Sequence, residues 1–281
     1  MSASPKSKSP LITVVTINFN DCEGLKSTMA SVLCQEGADF EYIVIDGGST
    51  DGSREVIEEN RERLAFSCSE SDNGVYNAMN KGVAHASGAY LLFLNAGDRL
   101  VSGDVLAKVS RHLGAADIVY GDLELYYPES GVIKHYGYPD KVTIQYLRTC
   151  SLPHPASFIR TSLLRDTPYR EDYKIVSDWV FFCQKIVYDN CTTLHLPMVV
   201  SVFAMDGLSN SQACATERAA AGEKLFPAMV SEIADKVHLF ESKGLMDVYL
   251  ELAHTRKLCK RLMPMIKLAL KVDKALKRRK H

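Results

Sequence analysis

The chain has 281 residues, of which 46% are hydrophobic and 24% are charged. This length and composition exclude a disordered or fibrous protein and are ample for one large folded domain with an appendage. The formal net charge of −1 hides an asymmetry, because residues 256–281 contain eleven Lys or Arg against one acid and carry +10, which leaves −11 on residues 1–255.

The cysteines and the first residues exclude several further classes of protein. Eight cysteines are scattered without a C-x-x-C pair, which argues against a zinc ribbon, a thioredoxin-like site and a secreted disulfide scaffold. Residues 1–9 are mostly Ser, Lys and Pro, and we expect them to be disordered and not to act as a signal peptide. No segment reaches the ~20 apolar residues of a membrane span. The sequence therefore predicts a cytoplasmic protein.

Short apolar segments alternate with amphipathic ones from residue 10 to residue 98. Strands are predicted over residues 11–17, 40–45, 64–68 and 90–94, and helices over residues 22–35, 49–63 and 75–86. Apolar runs bounded by turn formers are typical of strands that are buried on both faces of a parallel sheet. Their alternation with helices requires right-handed crossovers. We predict an α/β fold with a Rossmann-like, mostly parallel central sheet flanked by helices.

The regular alternation ends after residue 98. Helical segments are predicted over residues 105–113, 142–147 and 179–188, strands over residues 117–120, 156–160 and 194–203, and a Tyr-rich hairpin within residues 123–140. From residue 211 onward the chain is predicted to be helical. We therefore divide residues 10–210 into a ligand-binding half, residues 10–98, and a second half, residues 99–210, followed by a helical C-terminal region, residues 211–281.

Two of the apolar segments end abruptly in small and acidic residues. YIVIDGGSTDG at residues 42–52 contains Asp46, and YLLFLNAGD at residues 90–98 ends in Asp98. The carboxyl ends of strands in open α/β sheets face the crevice in which ligands bind. Both carboxylates are therefore expected at one rim of the sheet, in a site for a nucleotide and a metal-bound diphosphate.

Four motifs in one order carry a family resemblance. Together with TVVTINFN at residues 13–20 and DNGVYNAMNKG at residues 72–82, the two acidic segments resemble the family 2 glycosyltransferases of the GT-A fold, over about residues 10–210. The resemblance implies that the protein transfers a sugar, with inversion of the anomeric centre, from a UDP- or dTDP-sugar to a lipid-linked or cell-surface glycan. It further implies a role in bacterial capsule, exopolysaccharide or lipopolysaccharide assembly, with residues 99–210 binding the acceptor.

The resemblance also assigns residues to the donor. It implies that Asp46 accepts a hydrogen bond from the pyrimidine edge, and that Asp98 binds Mg²⁺ or Mn²⁺, which take oxygen ligands and substrate phosphates. Asn95-Ala96-Gly97-Asp98 departs from the usual D-x-D, so that weak metal binding without the donor and a ribose contact of Asn95 both stay open. The alternatives are that Asp46 only caps the helix predicted to begin at Ser49-Thr50-Asp51 and that Asp98 is only a turn residue after a strand. Further donor candidates are Thr16, Asn18, Asp72, Asn73, Asn77 and Lys81.

The segment Ser177-Asp178-Trp179 is similar to the family's segment that supplies the catalytic base. A carboxylate within hydrogen-bond reach of the acceptor hydroxyl can take its proton as the oxygen attacks, and we assign this role to Asp178. An ordinary helix N-cap is the alternative reading of Asp178, and Glu171 and Asp172 are alternative bases.

Three further residues are assigned to the acceptor and to the loop that closes over the diphosphate. His154 precedes a predicted strand, as a His does in related enzymes. Trp179 follows the candidate base, although its aromatic face is also suited to packing on the sheet. Ser209 lies in a segment that resembles the family's late Gly-Ser loop.

The basic segment, residues 256–281, interleaves Leu, Met, Ile and Val with its Lys and Arg. This pattern predicts an amphipathic helix on an anionic membrane surface, at the inner face of the cytoplasmic membrane. The segment contains no Phe, Tyr or Trp, which argues against nucleic acid as its partner. A purely solvated tail is the alternative, and the oligomeric state, a homodimer included, stays open.

Two other functions compete with the glycosyltransferase. A non-catalytic sugar-nucleotide-binding subunit is compatible with the altered D-x-D. A dinucleotide oxidoreductase is disfavoured, because the first strand leads into Asn18-Phe19-Asn20-Asp21 and not into G-x-G-x-x-G.

Overall fold

A nine-stranded sheet runs through the part of the chain that the computed structural model describes, residues 10–205 and 211–226. Its strands are β1 (Ile12–Asn18), β2 (Phe40–Asp46), β3 (Phe66–Ser69), β4 (Tyr90–Phe93), β5 (Arg99–Leu100), β6 (Ile118–Tyr127), β7 (Val132–Tyr136), β8 (Ser157–Arg160) and β9 (Thr193–Ala204). Their order across the sheet is β3-β2-β1-β4-β8-β6-β9-β5, and β7 pairs with β6.

The first four strands form the parallel half of the sheet. β1 lies between β2 and β4, β2 pairs with β3, and all three pairings are parallel. Every residue of β1 and β4 is buried, because helices cover both faces. The connecting helices are α1 (Cys22–Leu33), α2 (Ser53–Glu59), continued by a 3₁₀ turn at Arg61–Arg63, and α3 (Val75–His85). The predicted α/β alternation of this half is confirmed.

The second half of the sheet is mixed. β8 is antiparallel to both β4 and β6, whereas β9 is parallel to β6 and antiparallel to β5. β6 runs seven residues past the predicted end at Tyr120, because it continues directly into the hairpin with β7. β5 was not predicted, since two residues leave no periodic pattern.

The helices and helical turns of this half are short, except for the last one. They are α4 (Val105–Ser110), α5 (Ile144–Thr149), a 3₁₀ turn at His154–Ala156, α6 (Thr161–Asp166), α7 (Ser177–Cys183), a π-helical turn at Gln184–Tyr188, and α8 (Gln212–Leu225). α6 was not predicted, and α7 begins two residues before the predicted start. Every residue of α7 except Asp178 is buried, so this helix forms part of the core.

α3 packs closely on β1 because a glycine stands at their contact. A Cβ atom on Gly82 would lie 2.4 Å from Cγ1 of Val15, a distance that real side chains do not tolerate. A larger residue at this position would push α3 away from the sheet. The position of α3 matters for the site, because its first turn carries Tyr76.

Several predictions fall outside the described residues. Residues 1–9, Ser209 and the basic segment 256–281 belong to this group. The first compact unit of the chain extends to Leu225 and so includes α8, while the predicted boundary at residue 211 stays a prediction. Among the described helices, none combines the length and the apolar character that crossing a bilayer requires.

Candidate active site

The carboxyl ends of β1 and β2 bring Asn18 and Asp46 together. The two residues are register partners in the parallel pair, and Nδ2 of Asn18 donates to Oδ1 of Asp46 at 2.7 Å. Asp46 has no exposed surface, and Asn18 is 4% exposed. This end of the sheet is therefore an ordered polar rim built from backbone register.

Asp46 is saturated by internal donors. Its carboxylate accepts from the amides of Gly48 and Ser49 and from the hydroxyls of Ser49 and Ser69, at 2.5–3.2 Å. Burial raises the pKa of Asp46, but the hydrogen bonds from Ser49, Ser69 and Asn18 outweigh it, so the pKa is lowered. Asp46 thus organises the 46–49 turn, whereas α2 begins later, at Ser53, with Gly52 as its N-cap. A contact of Asp46 with a base edge requires the exchange of one internal bond.

The remaining predicted donor residues are mostly engaged elsewhere. Thr16 is fully buried and its hydroxyl lies 2.8 Å from the Tyr42 hydroxyl. The Asn77 side chain donates to Glu171 at 3.0 Å, and Lys81 forms an ion pair with Glu70 at 2.7 Å. The structure places Thr16 in the core and the other two on the surface.

An exposed aromatic ring lies at the same rim. Phe19 follows β1 directly and is 66% exposed. A Cβ atom on Gly47 would lie 2.7 Å from Oδ2 of Asp72 and 3.1 Å from the Phe19 ring, so the two side chains meet over this glycine. Phe19 was not among the predicted site residues, although an aromatic residue between two Asn at a strand end was the available signal.

The turn from Asn95 to Asp98 is clamped by α1. The Thr28 hydroxyl donates to the Asp98 carbonyl at 2.6 Å and accepts from the Gly97 amide at 3.1 Å. Gly97 has φ +92°, a conformation that favours glycine. Asp98 is 3% exposed, and its Oδ1 accepts from the Ala204 amide at 3.3 Å. The turn is therefore held from both α1 and β9.

The residues of this turn fit a hard divalent cation that takes part of its ligands from a substrate. Oδ1 of Asn95 is buried and has no hydrogen-bond partner among the described residues, and Asp98 supplies a carboxylate. No cluster of three His, Cys, Asp or Glu side chains with metal-binding geometry occurs in residues 10–205 and 211–226. Magnesium is commonly bound by one or two carboxylates together with substrate phosphates, which matches this ligand set.

Asp178 is held from two sides at the start of α7. Its Oδ1 accepts from the Tyr76 hydroxyl at 2.9 Å, and its Oδ2 lies 3.8 Å from Nδ1 of His154. The Asp178 side chain is 18% exposed. Burial and the neighbouring carboxylate raise the pKa of Tyr76 well above its usual value, so Tyr76 stays a donor at neutral pH.

His154 links Asp178 to the Asn95–Asp98 turn. Its Nε2 lies 3.2 Å from Nδ2 of Asn95, and its ring packs edge-on against Phe203. Burial lowers the pKa of His154, against the opposing effect of Asp178. The neutral ring can accept from the Asn95 amide through Nε2 and keeps its proton on Nδ1, towards Asp178.

Glu217 of α8, which was not among the predicted site residues, supports the segment before α7. Its carboxylate accepts from the amides of Lys174, Ile175 and Val176 at 2.7–3.1 Å. Three charge-assisted hydrogen bonds to consecutive amides hold this segment strongly. Asp178 follows two residues later, so Glu217 positions the candidate base without touching it.

A cavity of about 380 Å³ opens beside Asp178. We call it the hairpin cavity. Its lining includes Leu123, Tyr136 and Tyr138, from the β6–β7 hairpin and the residues that follow it, and His154, Asp178 and Arg218. Trp179 is 2% exposed and donates to the Leu147 carbonyl at 2.6 Å. The structure places it in the core, with little surface for an acceptor.

The structure thus brings part of the predicted set together. Asn95, His154 and Asp178 form a continuous chain of contacts from the β4 turn to the hairpin cavity. Asn18, Asp46 and Asp72 form a second group at the ends of β1 and β2. Both alternative bases are paired on the surface. Asp172 forms an ion pair with Arg170, and Glu171 accepts from the side chains of Asn77 and Asn80.

Comparison with known proteins gives one family. A family model described as glycosyl transferase family 2 matches residues 13–167. The PGL/p-HBAD biosynthesis glycosyltransferase Rv2957 of Mycobacterium tuberculosis is 32% identical over 211 residues, 72% of this chain and 80% of that protein. TuaG of Bacillus subtilis, named for teichuronic acid biosynthesis, is 33% identical over 93 residues, 32% of this chain and 37% of TuaG.

Solved structures of glycosyltransferases share the fold. TarS 1–349 of S. aureus in complex with UDP-GlcNAc aligns with a TM-score of 0.57 and 19% identity, over 72% of this chain and 60% of that one. The chain covers 36% of the longer TarS structure. The mannosyltransferase PcManGT of Pyrobaculum calidifontis, in complex with GDP-Man and Mn²⁺, aligns with a TM-score of 0.55 and 17% identity, over 92% of this chain and 84% of that one.

Proposed function

The chain belongs to glycosyl transferase family 2 and is a glycosyltransferase of the GT-A fold, and on that premise we propose that it inverts the anomeric centre of a nucleotide-diphosphate sugar while transferring it to a glycan acceptor. Asp178 acts as the base in this proposal. The observation that carries it is the chain of contacts from Asn95 through His154 to Asp178, which joins the strand-end turn to the hairpin cavity.

The surroundings of Asp178 suit proton transfer. One carboxylate oxygen is oriented by Tyr76, and the other faces His154 and the cavity. An acceptor hydroxyl in the hairpin cavity can give its proton to this carboxylate while its oxygen attacks the anomeric carbon. The bond to the diphosphate breaks from the opposite side, which inverts the configuration.

The donor in this proposal is a UDP- or dTDP-sugar. TarS and PcManGT were solved with UDP-GlcNAc and GDP-Man, which supports a nucleotide sugar. The exposed ring of Phe19, beside Asp72 and the buried pair Asn18–Asp46, offers a stacking surface for the base. Asp46 contributes by fixing the turn beneath that surface.

Asp98, with the amide oxygen of Asn95, would hold Mg²⁺ or Mn²⁺ together with the donor's phosphates. A cation bound there supplies charge neutralisation for the leaving diphosphate. The protein's own part is to keep the turn closed through Thr28 and Gly97.

The acceptor in this proposal is a lipid-linked or cell-surface glycan. Similarity to proteins named for PGL/p-HBAD and teichuronic acid biosynthesis supports glycolipid or polysaccharide assembly, with capsule and lipopolysaccharide as candidate products. The basic segment 256–281 would bind the enzyme to the inner face of the membrane that carries such an acceptor.

Thermal-shift measurements with UDP-, dTDP- and GDP-sugars, with and without Mn²⁺, test the donor. A ligand at 100 times its dissociation constant adds about 2.7 kcal/mol of stability, so one stabilising nucleotide sugar identifies it. If no nucleotide sugar raises the melting temperature, the donor assignment is wrong.

Asp178→Asn tests the base, with Asp172→Asn as the matched control. We expect Asp178→Asn to lower kcat by about 10²–10⁴-fold with the donor affinity unchanged, and Asp172→Asn to be near wild type, because Asp172 is exposed and paired with Arg170. The opposite pattern would move the base to Asp172. Unchanged turnover in both variants would remove both residues from the chemistry. The configuration of the product, read by NMR, tests inversion.

A further inference from the structure

Arg218 of α8 lines the hairpin cavity with two polar atoms unpaired. Its Nε and Nη2 are buried and have no hydrogen-bond partner among the described residues. A guanidinium carries five donors and keeps its charge at every working pH. Buried donors of a charged group that lack a partner are costly, so this arrangement calls for an acceptor that the cavity receives.

The unpaired atoms form the edge with which arginine binds planar anions. Arg170 of the same protein uses this edge, since its Nε and Nη2 donate to the two oxygens of Asp172 at 3.0 and 2.5 Å. Two parallel bonds of this kind recognise carboxylate and phosphate groups. Arg218 presents the same pair of donors without such a partner.

The Arg218 guanidinium is also held in place. It lies over the ring of Trp179, with Cζ 4.6 Å from the ring centroid. Trp179 is itself fixed, because it is buried and donates to the Leu147 carbonyl. Stacking uses the face of the guanidinium and leaves its edge available. A preordered donor pair binds an anion with a smaller entropy cost.

The position of Arg218 in the cavity indicates which substrate carries the anion. Arg218 and Asp178 line the same cavity as Tyr136 and Tyr138. The rim group Asn18, Asp46 and Asp72 does not line it within the described part of the chain. The anion therefore belongs to the molecule on the hairpin side, where the attacking hydroxyl must lie.

We propose that Arg218 binds an oxyanion, a phosphate or a carboxylate, that the acceptor carries near its attacking hydroxyl. The proposal rests on the proposed function, in which Asp178 takes the proton of that hydroxyl. The acceptor class is thus an anionic glycan or glycolipid whose apolar or ring portion packs on Tyr136 and Tyr138 while its oxyanion meets Arg218.

Trp179 is the one tryptophan of the chain, and its ring stacks on Arg218, which lines the cavity, so its fluorescence reports on binding at Arg218. The probes are hexyl phosphate, hexanoate and the neutral hexyl glucoside, together with UDP, each titrated into the full chain. We expect hexyl phosphate or hexanoate to change the Trp179 emission saturably, and Arg218→Gln to weaken that binding by about tenfold or more. Arg218→Lys should fall in between, since it keeps the charge and loses the paired edge.

Lys224→Gln is the matched control, because it removes one exposed charge from the same helix. It should leave every affinity unchanged. Circular dichroism and melting temperature establish that each variant is folded. If Arg218→Gln does not fold, the anion affinities are compared between Arg218→Lys and wild type. The UDP affinity of every variant should stay within about twofold of wild type, which corresponds to a change of less than 0.5 kcal/mol in binding free energy.

Three results would overturn the proposal. Hexyl glucoside could bind as tightly as the two anions, or Arg218→Gln could leave the anion affinities unchanged. If Arg218→Gln instead weakens UDP alone, the oxyanion is the donor's diphosphate and the assignment to the acceptor is wrong. Failure of UDP to bind the wild-type chain would contradict the proposed donor, and the anion titrations would still decide the role of Arg218.

Discussion

Two aspartates of the candidate site have opposite surroundings. Asp46 is fully buried and accepts five internal hydrogen bonds, so its carboxylate is committed to the turn. Asp178 accepts from Tyr76, lies 3.8 Å from His154 and is partly exposed to the hairpin cavity. Under the proposed function Asp178 is therefore the reacting acid and Asp46 the structural one, two roles that their surroundings separate.

His154 makes the protein sensitive to acid. Its pKa is lowered in the folded chain, chiefly by burial, whereas an unfolded histidine titrates near 6.5. Between these two values the unfolded chain binds more protons, so stability is complete above about pH 6.5 and falls as the pH drops towards the folded pKa. We expect His154→Asn to lose less stability than wild type between pH 7.5 and pH 5.5, measured by urea unfolding.

His112→Asn is the control for this measurement, because His112 is exposed on the surface. It should follow the wild-type pH dependence. If His154→Asn and wild type have the same pH dependence, folding does not lower the pKa of His154.

At the scale of elements, α8 completes the site although it lies outside the sheet. Through Glu217 it accepts from three consecutive amides before α7, and through Arg218 it covers Trp179. Removing the carboxylate leaves these amides without their acceptor, which costs about 1–3 kcal/mol. We expect Glu217→Ala to lower the melting temperature and kcat while the donor affinity stays unchanged.

Glu223→Ala, on the exposed surface of the same helix, is the control. It should leave kcat and melting temperature near wild type. A Glu217→Ala protein with normal kcat would show that the 174–176 segment does not need this support to present Asp178.

The contact of α3 with β1 is a second test at this scale. Gly82→Ala places a methyl group against Val15, and overpacking of this kind costs about 1–3 kcal/mol. Because α3 carries Tyr76, its displacement should also lower kcat. Adding Val15→Ala makes room, so we expect the double variant to be more stable than the sum of the single effects in a double-mutant cycle. Additive losses would show that the helix accommodates the methyl group without moving.

The sequence predicts the parallel half of the sheet better than the mixed half, and the reason is burial. β1, β2 and β4 are apolar runs between turn formers, and their observed ends lie within about two residues of the prediction. β6 was predicted to end at Tyr120, because its last four residues are only partly buried and carry no strict alternation.

The site was predicted less completely than the fold. Asp178 and His154 were selected through the family resemblance, but no local pattern predicts their partners. The contact between Tyr76 and Asp178 joins residues 102 positions apart, and Glu217 lies more than 40 positions from the amides that it binds. Such pairs depend on the packing of α3 and α8 on the domain, which periodicity does not encode.

At the scale of the whole molecule, the charge is divided along the chain. Residues 1–255 carry −11 and residues 256–281 carry +10. If the basic segment docks on membranes, the full chain should cosediment with phosphatidylglycerol vesicles and not with phosphatidylcholine vesicles, and high salt should release it. Replacing Lys277, Arg278, Arg279 and Lys280 with Gln should weaken binding strongly, since each cation near the surface contributes on the order of 1 kcal/mol.

Vesicle binding that is independent of lipid charge would contradict this role. Replacing Lys26 and Lys108, two exposed lysines outside the segment, with Gln is the control and should change binding little.

The five exposed residues of β7 have a consequence for the protein at high concentration. Among the described strands β7 pairs with β6 alone, so its outer row of amides and carbonyls can template a strand of another molecule. The exposed apolar side chains of Val132, Ile133 and Tyr136 favour such pairing, and the charge of Lys134 opposes it. An apolar replacement of Lys134 should therefore increase self-association of the protein at high concentration, measured by light scattering.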